Sequence, residues 1–552
     1  MPNIINKVTK ALSRIVFLLV ITGGAVFHFS RMQIDFSNVE VWSLAFLVFS
    51  YLSFRMNAFN LLDLGALGRR FSNPHFQLRS SFFFLSFVGG LLFIGHCFRH
   101  WSLSTHGFDV SYAHQALFFP YDKGVWLKAS VSKAGTVLGD HLMFAYIFLS
   151  PLTMFLHYDE WIFFLQVVLL CGTLWFFVTR SPLKTDPGIL LSVFIIILAH
   201  RGLRSGMLFD FREDVLAFVG LLGMIFSLWK KSVACYFLFL IFTLLCKENL
   251  FAVTFFFGIP ILFSETLRFS KFERQLLFVG TVGLSMIYGY LALKIFIPHY
   301  TVLKNGDHPI VGRFSSFGKT VPEIAFHILT TPRYWGEILK TCFGFNKIKY
   351  IVFVLGPYAF FYRSKEVLWW AVLAVPGIMM NICHDYTNMI ALVFHYELIV
   401  LPGLIAALVL GIADMNKTTS SGRPSPLFWG VLIALCFSGK WPGHFITSKI
   451  PTASEWHLYR ELHHLDKTKK VAVDLRFSSQ INYLRDFILF DPGELKLYEQ
   501  ISPTEWMQKV DTWIIDPQSK EEHGWAQYLF AHGFQLSPGI SLEDPAWILV
   551  RR

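Results

Sequence analysis

The run LLFVGTVGLSMIYGYLALKIFI, residues 276–297, decides the class of fold. It has 22 residues, of which only Lys294 is charged. A helix rising about 1.5 Å per residue carries such a run across the roughly 30 Å hydrocarbon core of a bilayer. The same texture recurs elsewhere, as in FLFLIFTLLC at 237–246. Over the whole chain of 552 residues, 54% are hydrophobic and 15% charged, and the mean hydropathy is +0.50. An ordinary soluble domain carries about 25% charged residues. The chain therefore reads as mainly α, a polytopic helical membrane protein whose first partner is the lipid bilayer. Its net charge of +11 and pI of about 9.2 then mark cytoplasmic loops. No nucleic-acid partner is expected.

About 13 spans fit the pattern of apolar runs. They lie near 12–29, 39–56, 80–97, 160–178, 187–200, 213–229, 232–247, 249–264, 275–297, 349–362, 366–381, 393–412 and 426–440. With the N-terminus inside, every inner connection carries at least two basic residues, such as Arg69, Arg70 and Arg79, or Lys230 and Lys231. This alternation requires that HLMFAYIFLSPLTMFLH (141–157), with Pro151 inside it, lie on the outer face without crossing. Lys7, Lys10 and Arg14 precede the first run and no small-residue cleavage site follows it, so it reads as an uncleaved span.

Three units result. Residues 1–79 form an N-terminal pair of spans with a cytoplasmic loop. Residues 80–443 form the membrane core, with long outer loops at 98–159 and 298–348. Residues 444–552 turn to soluble composition, with helical stretches alternating with KVAVDL, DTWIID and AWILVRR, and read as a small extracytoplasmic α/β domain. Of the seven cysteines, only Cys342 and Cys383 are placed to meet in an oxidising compartment. No CxxC, Walker loop, GxGxxG, HExxH or GxSxG occurs, which removes the main support for nucleotide-driven transport and serine hydrolase chemistry.

The stretch GFDVSYAHQALFF (107–119) poses the functional question. On a helical wheel of about 100° per residue, Asp109 projects between Ala113 and Ala116, inside the apolar sector. Other ionisable groups collect on the same outer side. They include His106, Asp140 and His141; Arg201, Arg204, Asp210, Arg212, Glu213 and Asp214; Lys247 and Glu248; and His384, Asp385, His395, Tyr396 and Glu397. Charges at membrane depth are costly and are paired or functional.

Four spaced signals carry a resemblance: FDVSYAHQAL, DHLMFAYIFLSP followed by FFLQ, FDFREDVLA with LCKEN, and FHYELIVLP. In this order they resemble the DUF2079 family of bacterial predicted membrane proteins, from about residue 80 to the C-terminus. That family is in turn similar to GT-C glycosyltransferases, which use polyprenyl-phosphate-linked sugars and place an acidic residue of the first outer loop at the acceptor. The resemblance implies that role for Asp109 and a location in the bacterial inner membrane. Where relatives usually carry His-Pro-Glu before a span, this chain has Arg212-Glu213-Asp214.

The physical reading of these residues agrees. Asp109, with Asp214 and Glu213, would supply the catalytic carboxylates, Asp109 acting as a base favoured by apolar surroundings. Arg201, Arg204 and Lys247 would hold a lipid phosphate, and His141, Glu248, His395 and Tyr396 would complete the substrate site. A divalent cation bridging Asp109 with Asp214 or Glu213 is compatible with the pattern. The 60 phenylalanines could line a groove for the prenyl chain. Plainer readings stand beside these: Asp109 as a helix cap, the arginines as partners of Asp210, Glu213 and Asp214, and Lys247–Glu248 as a structural pair. His457, Glu461 and His464 have metal-like spacing on one helix, although a solvated face fits them better. Two rival functions remain, a non-enzymatic scaffold that binds the lipid carrier and a transporter. The transporter would want charges at mid-membrane in broken spans.

Overall fold

A computed structural model of the chain describes residues 74–105, 107–132, 134–153, 159–181, 190–300, 342–362, 364–383, 387–392, 394–418, 450–484, 486–490 and 509–551, with isolated positions between them. The expected spans at 12–29 and 39–56, nearly all of the one at 426–440, and His106, His384 and Asp385 lie outside the described residues.

The described membrane part is built of helices. They are α1 (Pro74–Trp101), α2 (Gly107–Phe118), α3 (Tyr146–Thr153), α4 (Glu160–Arg180), α5 (Leu190–Ala199), α6 (Arg201–Leu208), α7 (Glu213–Trp229) and α8 (Val233–Leu244). After these come α9 (Leu250–Phe255), α10 (Gly258–Phe263), α11 (Lys271–Leu291), α12 (Phe345–Leu355), α13 (Lys365–Ala371), α14 (Val375–Ile382) and α15 (Leu401–Thr418). Among the described residues, four continuous helical stretches are long and apolar enough to cross a membrane: Leu78–Trp101, Glu160–Arg180, Lys271–Tyr300 and Lys365–Ile382. Ser270 opens α11 by accepting from the Glu273 amide, while the Glu273 carboxylate accepts from the Ser270 amide, so the apolar run 276–297 begins on a closed capping box.

Burial is inverted relative to a soluble protein. Phe83, Phe87, Val279 and Tyr290 are about two-thirds exposed, while Arg212, Glu213, Asp214, Lys247 and Glu248 are buried. A chain that turns phenylalanines outward and carboxylates inward is built for a hydrocarbon surround. The central helix is α7, buried along nearly its whole length against α4, α8 and α15. Gly220 and Gly223 permit its close contact with α8: a Cβ at these positions would stand 2.3 Å from Thr243 Oγ1 and 2.5 Å from the Phe239 ring.

In the stretch 141–157, the described residues 141–153 carry the eight-residue α3, with Pro151 inside it. Other boundaries differ from the sequence reading. The expected span at 249–264 is broken between α9 and α10, around Phe256–Phe257. That at 349–362 is α12 followed by a 3-10 turn over Gly356–Phe361. Cys342 and Cys383 are joined in a disulfide with Cα atoms 4.4 Å apart.

The segment between α2 and α3 carries a short hairpin, β1 (Tyr121–Asp122) and β2 (Val125–Trp126). The C-terminal part forms a five-stranded sheet from β3 (Val471–Asp474), β4 (Ile488–Phe490), β5 (Thr512–Ile515), β6 (Phe534–Leu536) and β7 (Trp547–Arg551), in the order β4-β3-β5-β7-β6. β3 runs parallel to β4 and β5, and β7 is antiparallel to β5 and β6. Its helices are α16 (Ala453–His463), capped by Thr452 and Glu455, and α17 (Lys520–Ala531). The 3-10 turn after β3, Leu475–Gln480, docks on α2. Ser111 donates to Ser478 at 3.0 Å, Gln115 donates to the Leu484 carbonyl at 3.1 Å, and Gln480 donates to the His100 carbonyl at 3.1 Å. Helix α2 is thus held between the C-terminal sheet domain and the membrane core.

Candidate functional site

The segment between α6 and α7 is where the site is assembled. His96 Nε2 meets the Met207 carbonyl at 2.6 Å, Arg99 donates to the Leu208 carbonyl at 2.6 Å, and the Gln166 amide donates to the Phe209 carbonyl at 2.8 Å. Arg99 also pairs with Asp210 at 3.3 Å. These contacts satisfy the carbonyls that α6 leaves at its C-terminus, and they tie 207–210 to α1 and α4. Arg212, Glu213 and Asp214 follow on a backbone that has little freedom left.

From there a chain of alternating charges runs through the interior. Arg212 Nη1 donates to Asp109 Oδ1 at 2.7 Å, and Arg212 Nε lies 3.3 Å from Glu213 Oε2. Lys247 Nζ is 2.5 Å from Glu213 Oε1 and 3.3 Å from Asp214 Oδ2, and His395 Nε2 is 3.2 Å from Asp214 Oδ2. The Arg212 guanidinium also lies 5.4 Å from the centre of the Tyr112 ring, a cation–π contact. The Tyr112 hydroxyl donates to the Val137 carbonyl at 2.7 Å. Three carboxylates (Asp109, Glu213, Asp214) against two permanent cations (Arg212, Lys247) leave one formal negative charge, 3 − 2 = 1.

Beside this chain, His141 Nδ1 donates to Glu248 Oε1 at 2.8 Å, and the Leu142 amide donates to Glu248 Oε2 at 3.0 Å. Glu248 therefore clamps the loop that leads from the first outer segment to α3. A carboxylate can only accept, so His141 Nδ1 carries the proton and Nε2 presents its lone pair.

The structure thus brings together Asp109, Glu213, Asp214, Lys247 and His395, with His141 and Glu248 next to them. Tyr396 packs its ring 4.4 Å from that of His395. Arg201 and Arg204 sit apart on α6. Arg204 is buried and donates to the Leu198 carbonyl at 3.3 Å, while burial, and then Arg201, pulls its guanidinium down to about 10. Two expectations change in kind. Asp109 does not stand alone in an apolar sector, because Arg212 reaches it from 103 residues away. Arg212 also fills the position between Asp109 and Glu213 where a bridging cation was expected. His457 and Glu461 are half-buried and 3.7 Å apart on a partly solvated face.

Two further residues belong to the site, which the sequence offered as members of its ionisable clusters without a catalytic or binding role. Arg212 is its hub, and its contact with Glu213 is of the kind the plainer reading of the arginines expected. Glu397 is buried beside α6, and neither of its carboxylate oxygens makes a hydrogen bond among the described residues. An apolar groove of about 440 Å³, lined by Phe176, Phe177, Phe226 and Phe239, ends at Lys230 and Ser232. That is the opposite end of α7 from Glu213, so the groove is not the chamber of this site.

A helical protein with lipid-facing phenylalanines and a buried ionic cluster at one end of its central helix is an integral membrane protein. The chain belongs to the DUF2079 family of predicted membrane proteins, whose family model matches residues 99–472. The match takes in every residue of the cluster and ends inside β3. No curated protein matches the chain.

Proposed function

We propose that the chain is a membrane glycosyltransferase of GT-C type, moving a sugar from a polyprenyl-phosphate donor to an acceptor on the outer face of the bacterial inner membrane. On this reading the N-terminus is cytoplasmic and the sheet domain extracytoplasmic. The observation that carries it is the convergence of Asp109, on the first outer segment, with Glu213, Asp214, Lys247 and His395 from three other segments. Orientation lends support. The C-terminus of α1 and the N-termini of α4 and α7 gather at the cluster, while Arg79, Arg180, Lys230 and Lys231 stand at their opposite ends.

In the reaction the acceptor hydroxyl attacks the anomeric carbon, and its proton passes to the Asp109 carboxylate as the bond from that carbon to the phosphate oxygen breaks. Arg212, holding Oδ1, orients the carboxylate. Lys247, the cation nearest Asp214, would stabilise the charge that builds on the leaving phosphate. A second reading rests on the alternation itself. Each cation in the chain already serves two carboxylates, as a purely structural network or a lipid-carrier scaffold would have it.

Native mass spectrometry of the gently solubilised protein beside Asp109→Asn separates the two readings. A co-purifying polyprenyl phosphate-linked sugar that accumulates in the variant is the expected result. Bare lipid, or none, unchanged by the substitution would favour the scaffold.

A further inference from the structure

A second cluster lies where the outer domain meets the spans. His100 at the end of α1, Asp159 before α4 and His463 at the end of α16 each offer one ligand atom, and these atoms lie within 4.8 Å of one another. His100 Nε2 is 3.2 Å from Asp159 Oδ2, and His114 of α2 contacts Asp159 Oδ1 through Nδ1. His100, His114 and Asp159 are almost wholly buried and His463 is half-buried. Apart from these contacts with one another, His100 Nε2, both ring nitrogens of His114 and Asp159 Oδ1 make no hydrogen bond among the described residues. Asp159 precedes α4, yet its side chain makes no capping bond.

The tautomers suit a metal. His463 Nδ1 lies 3.0 Å from the Tyr459 carbonyl, which can only accept, so Nδ1 carries the hydrogen and Nε2 presents the lone pair. The two hydrogens of the Gln480 amide go to the His100 carbonyl at 3.1 Å and the Ser479 hydroxyl at 3.3 Å, so the Thr105 hydroxyl, 3.5 Å from His100 Nδ1, is the group that accepts from that nitrogen and Nε2 is left toward Asp159. The neighbouring Glu160 carboxylate is already engaged, accepting from Trp101 at 2.8 Å and Tyr459 at 2.9 Å.

We propose that His100, Asp159 and His463 bind a divalent transition metal of zinc type, with His114 holding the second Asp159 oxygen, and that this ion clasps the outer domain to the membrane core. Two imidazoles and a carboxylate are ordinary zinc ligands, and a histidine on the outer oxygen of the carboxylate is the usual supporting arrangement. The three ligands come from α1, α4 and α16, so one ion joins two spans to the sheet domain.

The test uses the full chain in detergent, equilibrated with zinc and desalted, with metal and protein measured together. About one zinc per chain is expected, falling at least tenfold in His463→Gln and in His100→Gln, while His457→Gln on the same helix as His463 retains it. His114→Gln should weaken affinity by roughly 10–100-fold. Cobalt in place of zinc should give a tetrahedral visible spectrum that His463→Gln abolishes. Wild-type protein holding no more zinc than a monodisperse His463→Gln sample would overturn the site. Zinc bound, but with EDTA leaving the rate of proteolytic release of the outer domain unchanged, would overturn the clasp.

Discussion

Replacing Arg212 with leucine removes the one cation that touches both Asp109 and Glu213, and its effect can be worked from the geometry. Asp109 and Arg212 are about one-tenth exposed or less, and breaking a buried pair by deleting one partner costs about 3–5 kcal/mol because the other charge is stranded. Glu213 keeps Lys247 at 2.5 Å, so the loss of the Arg212 pair falls on the Asp109 carboxylate. Asp109→Asn is milder. The amide oxygen still accepts from Arg212, and Arg212 still has Glu213, so about 1–2 kcal/mol is expected. Combined, the two substitutions should cost less than their sum, since an amide at 109 needs no counterion. The coupling should be about 1–3 kcal/mol. Equilibrium unfolding in mixed micelles, followed by circular dichroism at matched slopes, measures all three variants. Additivity within about 0.5 kcal/mol would show that the contact is energetically idle and refute the reasoning.

Gly107→Ala would place a Cβ 1.8 Å from the Leu475 carbonyl oxygen, so the docking of the outer domain on α2 should loosen, read as faster proteolysis between the two with the spans intact. In the outer domain, burial, then the neighbouring Asp474 carboxylate, raises Glu522 to about 8. Between the ordinary carboxyl value of about 4.3 and that point the folded domain holds a proton that the unfolded chain has lost. Stability should therefore fall as pH rises through this window, and Glu522→Gln should flatten the thermal-unfolding profile against pH. The Cys342–Cys383 bridge closes a 41-residue separation, for which chain entropy gives roughly 4 kcal/mol. Cys342→Ser should lower the denaturation midpoint accordingly, and reductant should have no further effect on that variant.

Much of the plan was legible in the chain because a bilayer imposes a local code. Apolar runs such as 276–297, the switch to soluble composition near 444 and the two cysteines able to pair all show in short windows. Asp109, Glu213, Asp214 and Lys247 stood out as charges beside apolar runs, and they do converge. Partnership was not legible. Nothing near Asp109 announces Arg212, and nothing near His100 announces Gln480, 380 positions on. On α16 the spacing drew attention to His457, Glu461 and His464, yet the inward residue is His463. A helix turns about 100° per residue, and which face is buried depends on what it docks against.

The sequence by itself determined the membrane class, the helical texture, the C-terminal α/β alternation and the short roll of ionisable residues that cannot be ornamental in hydrocarbon. Tertiary structure alone decided how those charges are shared: Arg212 between Asp109 and Glu213, Lys247 between Glu213 and Asp214, and His100, Asp159 and His463 drawn together from three helices. The reason is one of range. Hydrophobicity acts on every residue wherever it lies and leaves its mark along the chain, whereas an ion pair or a metal site exists only once distant segments are packed to within about 4 Å.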